Sequence, residues 1–116
     1  MKILILDDDD TRHTLFKQNY SKHDLVHTYT ADEAIDALKR GTYDVVFLDH
    51  DLGGKQMVDS WGEEPTGYTV AKWMAMNPER KPGQVYIHSL NPVGARNMHN
   101  ILPGSKLAPG AWASKQ

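Results

Sequence analysis

The stretch YDVVFLDHD at residues 43–51 is the main evidence in the sequence for a parallel β-sheet. A near-continuous apolar run is typical of a strand that is covered on both faces of a parallel sheet. Similar runs, ILIL at 3–6 and VYI at 85–87, also end directly before polar residues. Because helical patterns separate the strand-like runs, we predict an α/β domain with helices on both faces of a parallel sheet. The expected architecture is therefore three layers, α-β-α.

Capping signals mark the helices between these strands. The tetrapeptide TADE at 30–33 is a capping box that opens the second helix. Asn91, followed by a proline, is predicted to cap the fourth helix. The first helix is predicted at residues 11–20. Its predicted inner face consists of Leu15, Phe16 and Tyr20.

The chain of 116 residues is long enough for one domain with a core of ordinary size. Residues 105–116 have little helix or strand character. We therefore predict a domain at 1–104 and an irregular tail at 105–116. Only four strands are predicted with this pattern, which leaves a sheet edge open for the tail or for a second copy of the chain in a homodimer.

Composition narrows the class of protein further. The net charge of −2 gives no general argument for nucleic-acid binding. Cysteine is absent, which excludes disulfides and thiolate metal sites. No apolar run approaches the roughly 18 residues of a membrane span, and the N-terminus lacks the pattern of a signal peptide. We expect a cytoplasmic protein with no membrane partner.

Polar clusters follow three of the predicted strands: Asp7 to Asp10, Asp49-His50-Asp51, and His88 to Asn91. The carboxyl ends of parallel strands meet in one crevice, so these side chains are expected in one pocket. Oxygen ligands from aspartates suit a hard cation such as Mg²⁺, and clustered carboxylates without a cation repel one another. We predict metal binding by Asp8 and Asp49. Asp10 is expected mainly to cap the first helix, where its charge also favours the positive end.

Two histidines of these clusters are candidates for proton transfer. His50 and His88 suit the roles of general base and general acid on opposite sides of a phosphate. Either is alternatively a ligand of a softer divalent ion, or simply bonds a backbone carbonyl. The other histidines have no metal-ligand spacing and are expected at the surface: His13, His23, His27 and His99.

Phosphate ligands are predicted around the last helix and on the first. Ser89 is expected to donate to a phosphate oxygen near a helix N-terminus, where free N–H groups attract anions. Asn91 caps that helix, binds phosphate, or does both. Arg12 has the planar fork of a phosphate clamp, although pairing with Asp9 or exposure to solvent explains it equally. Gly94 lowers helix propensity, which predicts a close approach by another element or a ligand.

The long polar segment at 53–66 has two interpretations. It contains Trp61 among glycines and acids. One interpretation is a substrate lid whose aromatic ring stacks on a base. The other is an insertion whose Trp61 packs back on the domain.

The order of these motifs resembles the receiver domain of two-component response regulators over about residues 1–102. The resemblance implies a flavodoxin-like fold, a Mg²⁺ or Mn²⁺ ion held by Asp8 and Asp49 with Asp7 close by and the backbone carbonyl of Asp51, and a phosphoryl contact from Ser89. Receivers carry a fifth strand that ends in Lys-Pro. The only candidate here is Lys106, so that strand is expected to be missing or degenerate.

The closest likeness is to a divergent branch of receivers, the cyclic-phosphate-processing receiver-like domains. It rests on LDD with Arg12, on LDHDLG at 48–53, and on HSLNPVG at 88–94. The resemblance implies a metal-dependent phosphoesterase with a phosphate-containing small molecule or RNA end as partner. Catalytic residues would be Asp49, His50, His88 and Ser89, with Asp7, Asp8, Asp49 and Asp51 at the metal. The alternatives are a phospho-accepting signalling receiver and a degenerate receiver that binds another protein.

Overall fold

The computed structural model describes residues 1–52 and 65–113. The predicted loop with Trp61 therefore lies outside the described residues, apart from residues 65 and 66. The strands are β1 (Lys2–Leu6), β2 (Asp24–Thr28), β3 (Val45–Leu48), β4 (Gln84–Ile87) and β5 (Lys106–Leu107). The helices are α1 (Asp10–Asn19), α2 (Ala31–Arg40), α3 (Gly67–Met76) and α4 (Pro92–Ile101), with 3-10 turns at Pro78–Arg80 and Ala111–Ala113.

The five strands form one parallel sheet in the order β2-β1-β3-β4-β5. This arrangement confirms the predicted three-layer α/β architecture. β1 and β3 are adjacent at the centre, with Leu6 opposite Leu48. The residues that follow them are therefore neighbours at the carboxyl edge of the sheet.

The prediction that the fifth strand is missing was wrong. Lys106 pairs with Tyr86 and Leu107 with Ile87, and the backbone N–H of Ala108 donates to the carbonyl of Ile87 at 2.7 Å. A strand of two residues is too short to show any periodicity in sequence. The segment predicted as an irregular tail thus covers the edge of β4, while the predicted homodimer stays a prediction.

The helices divide unequally between the two faces. The buried side chains of α2, α3 and α4, such as Leu38, Val70 and Met98, pack on one face. On the other face, Phe16 and Tyr20 from α1 and its C-cap contact β1 and β3, and Ala111 from the last 3-10 turn packs beside them. A cavity of about 360 Å³ remains on this second face and is lined by apolar and aromatic residues that include Ile3, Phe47 and Tyr86.

The starts of α2 and α4 lie where the capping signals predict them, whereas the cap predicted at Asp10 was wrong: Asp9 caps α1, and its Oδ1 accepts from the N–H of Arg12 at 3.1 Å. The hydroxyl of Thr30 accepts from the N–H of Glu33 at 3.1 Å, and Asn91 Oδ1 accepts from the N–H of Gly94 at 3.0 Å. Asn91 is therefore a helix cap, as predicted. None of the helices in residues 1–52 and 65–113 is long and apolar enough to cross a membrane.

Candidate functional site

Asp7, the first residue after β1, is the buried centre of the site. Arg12 donates to both of its carboxylate oxygens, from Nε and Nη2, at 2.8 Å each. His88 Nε2 donates to Oδ2 at 2.8 Å, and the N–H of Asp9 donates to Oδ1 at 2.9 Å. Burial raises the pKa of Asp7, but the hydrogen bonds from His88 and Arg12 outweigh it and hold the pKa well below its ordinary value.

Arg12 connects the acidic residues of neighbouring strands. Besides its paired bonds to Asp7, its Nη2 donates to Asp49 Oδ2 at 3.2 Å. Asp8 and Asp9 lie within 3.6 and 3.7 Å of the same guanidinium. The hydrogen bond to Asp7 is the largest cause of a raised pKa of Arg12. The chain thus places one fixed positive charge among four carboxylates.

Asp49, directly after β3, is also buried but has weaker support. Its Oδ1 accepts from the N–H of His50 at 2.9 Å, and Arg12 reaches only Oδ2. Burial raises the pKa of Asp49 to about 6, and the negative charge of Asp7 adds to that rise. A carboxyl with such a pKa exchanges its proton close to neutral pH.

His88, at the end of β4, is fully buried beside these carboxylates. Its Nε2 bonds Asp7, whereas Nδ1 has no hydrogen-bond partner among the described residues. Phe16 and Trp112 pack against the ring, with centroids 5.3 and 5.7 Å away. A buried polar atom without a partner is rare in native structures and points to a ligand or a chemical role.

Asp7, Asp49 and His88 form a group that could hold a metal ion, because their ligand atoms all lie within 4.8 Å of one another. Two carboxylates and one imidazole suit Mn²⁺ or a softer ion as well as Mg²⁺. The group differs from the predicted ligand set. Asp8 lines the cavity beside it, and the side chain of Asp51 is 65% exposed and bonded to His50 and Asn91.

Seven described residues line a cavity of about 250 Å³ above this group: Asp8, Arg12, Asp49, Asp51, His88, Leu90 and Trp112. The polar residues among them were all predicted for the site. Trp112 and Leu90 were not predicted there. Trp112 follows β5, which was not predicted. Leu90 follows β4, and an apolar residue after a strand does not by itself indicate a pocket.

His50 lies apart from the cavity. Its Nδ1 bonds Asp51 Oδ1 at 2.8 Å, which lowers the pKa of Asp51. A Cβ on Gly94 would collide with the ring of His50, so the close approach predicted at Gly94 is confirmed. The acid–base role of His50 stays a prediction, since its ring contacts α4 and lines a separate groove with Tyr68.

Ser89 is buried at the start of the turn into α4. Its Oγ accepts from the N–H of Asn91 at 3.0 Å, which leaves the hydroxyl proton available for another acceptor. Ser89 is not among the residues that line the cavity. Its predicted contact with phosphate therefore stays a prediction.

The surface position predicted for His13 was wrong. His13 is buried; its Nε2 donates to the backbone carbonyl of Asp7 at 2.8 Å, and its Nδ1 lies 2.7 Å from Nδ1 of His27. Burial lowers the pKa of His27. Spacing offered the missed signal, because His13 precedes Phe16 and Tyr20 by three and seven positions on the same face of α1.

A family model described as the cyclic-phosphate processing receiver domain matches residues 2–103. The chain belongs to this family. No curated protein matches the sequence. The family match includes the polar residues at the carboxyl edge, among them Asp7, Arg12, Asp49, His88 and Ser89.

Solved receiver domains share the fold. A CheY-like response regulator receiver domain from Methylobacillus flagellatus gives a TM-score of 0.71 at 16% identity, over 95% of this chain and 86% of that chain. The response regulator TrrA from Thermotoga maritima, in complex with Mg(2+)-BeF, gives 0.71 at 16%, over 94% and 86%. The Mn(2+)-bound response regulator Rcp1 gives 0.68 at 18%, over 92% and 79%. At these identities the likeness shows the fold alone.

Proposed function

We propose that this receiver domain is a metal-dependent phosphoesterase that opens cyclic phosphates. The observation that carries the proposal is the group of Asp7, Asp49 and His88, with ligand atoms within 4.8 Å of one another beneath a cavity that Arg12 also lines. Carboxylates and an imidazole can bind a cation, and a guanidinium can bind a phosphate. Phosphoryl transfer needs a cation site and a phosphate site next to each other.

The side chains at this site are suitable ligands for a divalent cation. Asp7 and Asp49 supply the oxygen ligands of a hard ion such as Mg²⁺, which leaves His88 free to donate a proton; a softer ion such as Mn²⁺ would take the His88 nitrogen as well. A divalent ion bound there would polarise a phosphoryl oxygen and acidify bound water. Solved structures of the same fold include a Mg(2+)-BeF complex and a Mn(2+)-bound form, which supports either ion.

The chain's own residues have distinct roles in this proposal. Arg12 binds a non-bridging phosphate oxygen. Asp49 accepts the proton of the attacking water as the new P–O bond forms. His88 lines the cavity and returns a proton to the ester oxygen as its P–O bond breaks, so the product is a phosphomonoester with one free hydroxyl.

The rival function is a signalling receiver that accepts a phosphoryl group on Asp49. The position of Asp49 after β3 favours it. The end of β5 does not, because Ala108-Pro109 stands there and Lys106 is exposed on the strand. The positive charge beside Asp49 comes instead from Arg12 on α1, in the place that the receiver resemblance gives to a lysine after the fifth strand.

The test is turnover of RNA that ends in a 2',3'-cyclic phosphate and of a panel of cyclic nucleotides, with Mg²⁺, Mn²⁺ or EDTA. We expect turnover to disappear with EDTA, in Asp49→Asn, and in His88→Gln, whose amide keeps a donor toward Asp7. Asp32→Asn, an exposed carboxylate change on α2, should behave like the wild type. Absence of turnover under every condition would contradict the proposal, and labelling of Asp49 by a small phosphodonor would then support the signalling alternative.

A further inference from the structure

The rim of the cavity contains two apolar side chains that the proposed chemistry does not use. Leu90 follows β4 and is 66% exposed, so core packing does not explain it. Trp112 comes from the C-terminal 3-10 turn, Ala111–Ala113, and its ring also lines the cavity. The remaining lining residues are polar or charged. The cavity therefore combines charged lining residues with two apolar side chains.

Trp112 is held in place by α1. Asn19 Nδ2 donates to the carbonyl of Trp112 at 2.8 Å, and the hydroxyl of Tyr20 donates to the carbonyl of Ala111 at 3.1 Å. Both bonds go to backbone carbonyls, so they fix the turn that carries the indole. A backbone that is fixed before binding reduces the entropy that a ligand must offset.

The ring also lies directly beside the charged groups of the site. The guanidinium carbon of Arg12 is 5.2 Å from the centroid of Trp112, and the ring of His88 stands nearly perpendicular to it at 5.7 Å. A phosphate bound by Arg12 would therefore place its ester substituent next to the indole. A flat, apolar substituent gains from that contact, whereas a small hydrophilic one does not.

We propose that Trp112 is a specificity-determining residue that contacts the nucleobase of the substrate, with Leu90 as the second apolar residue of the cavity lining. This inference rests on the proposed function and narrows the substrate class to nucleoside cyclic phosphates, as free nucleotides or as RNA ends. Every base has a π face, so stacking of this kind favours a base over no base without selecting a sequence.

The experiment measures binding to the whole protein with Mn²⁺ by titration calorimetry. The probes are inorganic phosphate, a ribose 2,3-cyclic phosphate without a base, adenosine 2',3'-cyclic phosphate, and a short RNA with a 2',3'-cyclic end. Wild type should bind the adenosine compound about tenfold more tightly than the base-free one. Trp112→Ala should remove that preference and leave phosphate affinity within about twofold, whereas Trp112→Phe should retain most of it.

The variants and probes separate the two proposals. Equal affinity of wild type for the base-free and adenosine compounds, with phosphate bound, would overturn the role of Trp112 and leave the proposed function standing. No binding of any probe, phosphate included, would overturn both. A uniform loss for all probes in Trp112→Ala would make Trp112 a support for Arg12 and would also overturn the specificity role. A preference for the RNA or for the mononucleotide over the base-free compound, lost in Trp112→Ala, supports the role of Trp112. The probe that binds more tightly then shows whether the ligand is an RNA end or a free nucleotide.

Discussion

Asp7 and Asp49 follow neighbouring strands, and their surroundings move their pKa values in opposite directions. Asp7 receives two bonds from Arg12 and one from His88, whereas Asp49 receives one from Arg12. Both are buried, so the difference comes from the number of donors and not from burial. Ionised Asp7 therefore stabilises the fold, and ionised Asp49 opposes it.

Asp49→Asn should stabilise the protein without added metal at pH 7 by about 2 to 3 kcal/mol. The folded pKa of about 6 lies above the ordinary 3.8, so the folded state binds more protons between these values and loses stability as pH rises through them. The variant's advantage should vanish below pH 4. Urea denaturation at pH 7 and pH 4 measures it, and a destabilised variant at pH 7 would contradict the assignment.

Asp7→Asn should have the opposite sign and cost about 3 kcal/mol at pH 7, because it leaves the half-buried Arg12 and the buried His88 without their carboxylate partner. The depressed pKa of Asp7 stabilises the fold above the ordinary value of 3.8, and that contribution is lost as pH falls toward the folded pKa. The same urea series measures it. A neutral effect would mean that the donors find other acceptors, such as Asp49.

At the scale of elements, the contact between α4 and the turn after β3 depends on one glycine. Gly94→Ala would place a methyl group in the ring of His50, although alanine is the better helix former by about 1 kcal/mol. We expect Gly94→Ala to destabilise the wild type but to stabilise His50→Ala. A double-mutant cycle measures this reversal. Gly41→Ala is a matched control, because only the flexible end of Lys2 lies within 3.4 Å of its Cβ.

The sequence predicted the elements whose signals lie within a few residues of one another. It missed those that depend on contacts with segments far away in the chain. The capping signals at Thr30 and Asn91 are read within four residues, and both caps form as predicted. β5 has two residues and exists only because β4 offers an unpaired edge. The spacing of His13 to Phe16 and Tyr20 predicts that it faces the core, but no local pattern predicts its bonds to the carbonyl of Asp7 and to His27.

The candidate site was predicted in composition but not in arrangement. Strand ends brought Asp7, Asp49 and His88 together because a parallel sheet places its carboxyl ends on one edge. The sequence does not predict the direction in which each side chain points. His50 turns to Gly94 and away from the cavity, and Trp112 reaches it only after the chain has crossed β5 and folded back on α1.

At the scale of the whole molecule, occupancy of the acidic group should control the stability of the entire fold. Asp7, Asp49 and His88 follow β1, β3 and β4, so an ion among them would join three strands and relieve the charge of Asp49. At ten times its dissociation constant, an ion that binds only the folded state adds about 1.4 kcal/mol. For a domain of this size we expect a rise in Tm of about 5 °C.

Thermal unfolding with Mg²⁺, Mn²⁺ or EDTA tests this linkage without requiring turnover. The wild type should be stabilised by an ion and returned to its starting Tm by EDTA, and Mn²⁺ should act at the lower concentration if His88 is a ligand. Asp49→Asn should respond little, while Asp32→Asn should respond like the wild type. His88→Gln should keep the response to Mg²⁺ and lose the preference for Mn²⁺. If His88→Gln preserves that preference, the imidazole is not a ligand, and its unpaired Nδ1 is instead available for proton transfer to the substrate.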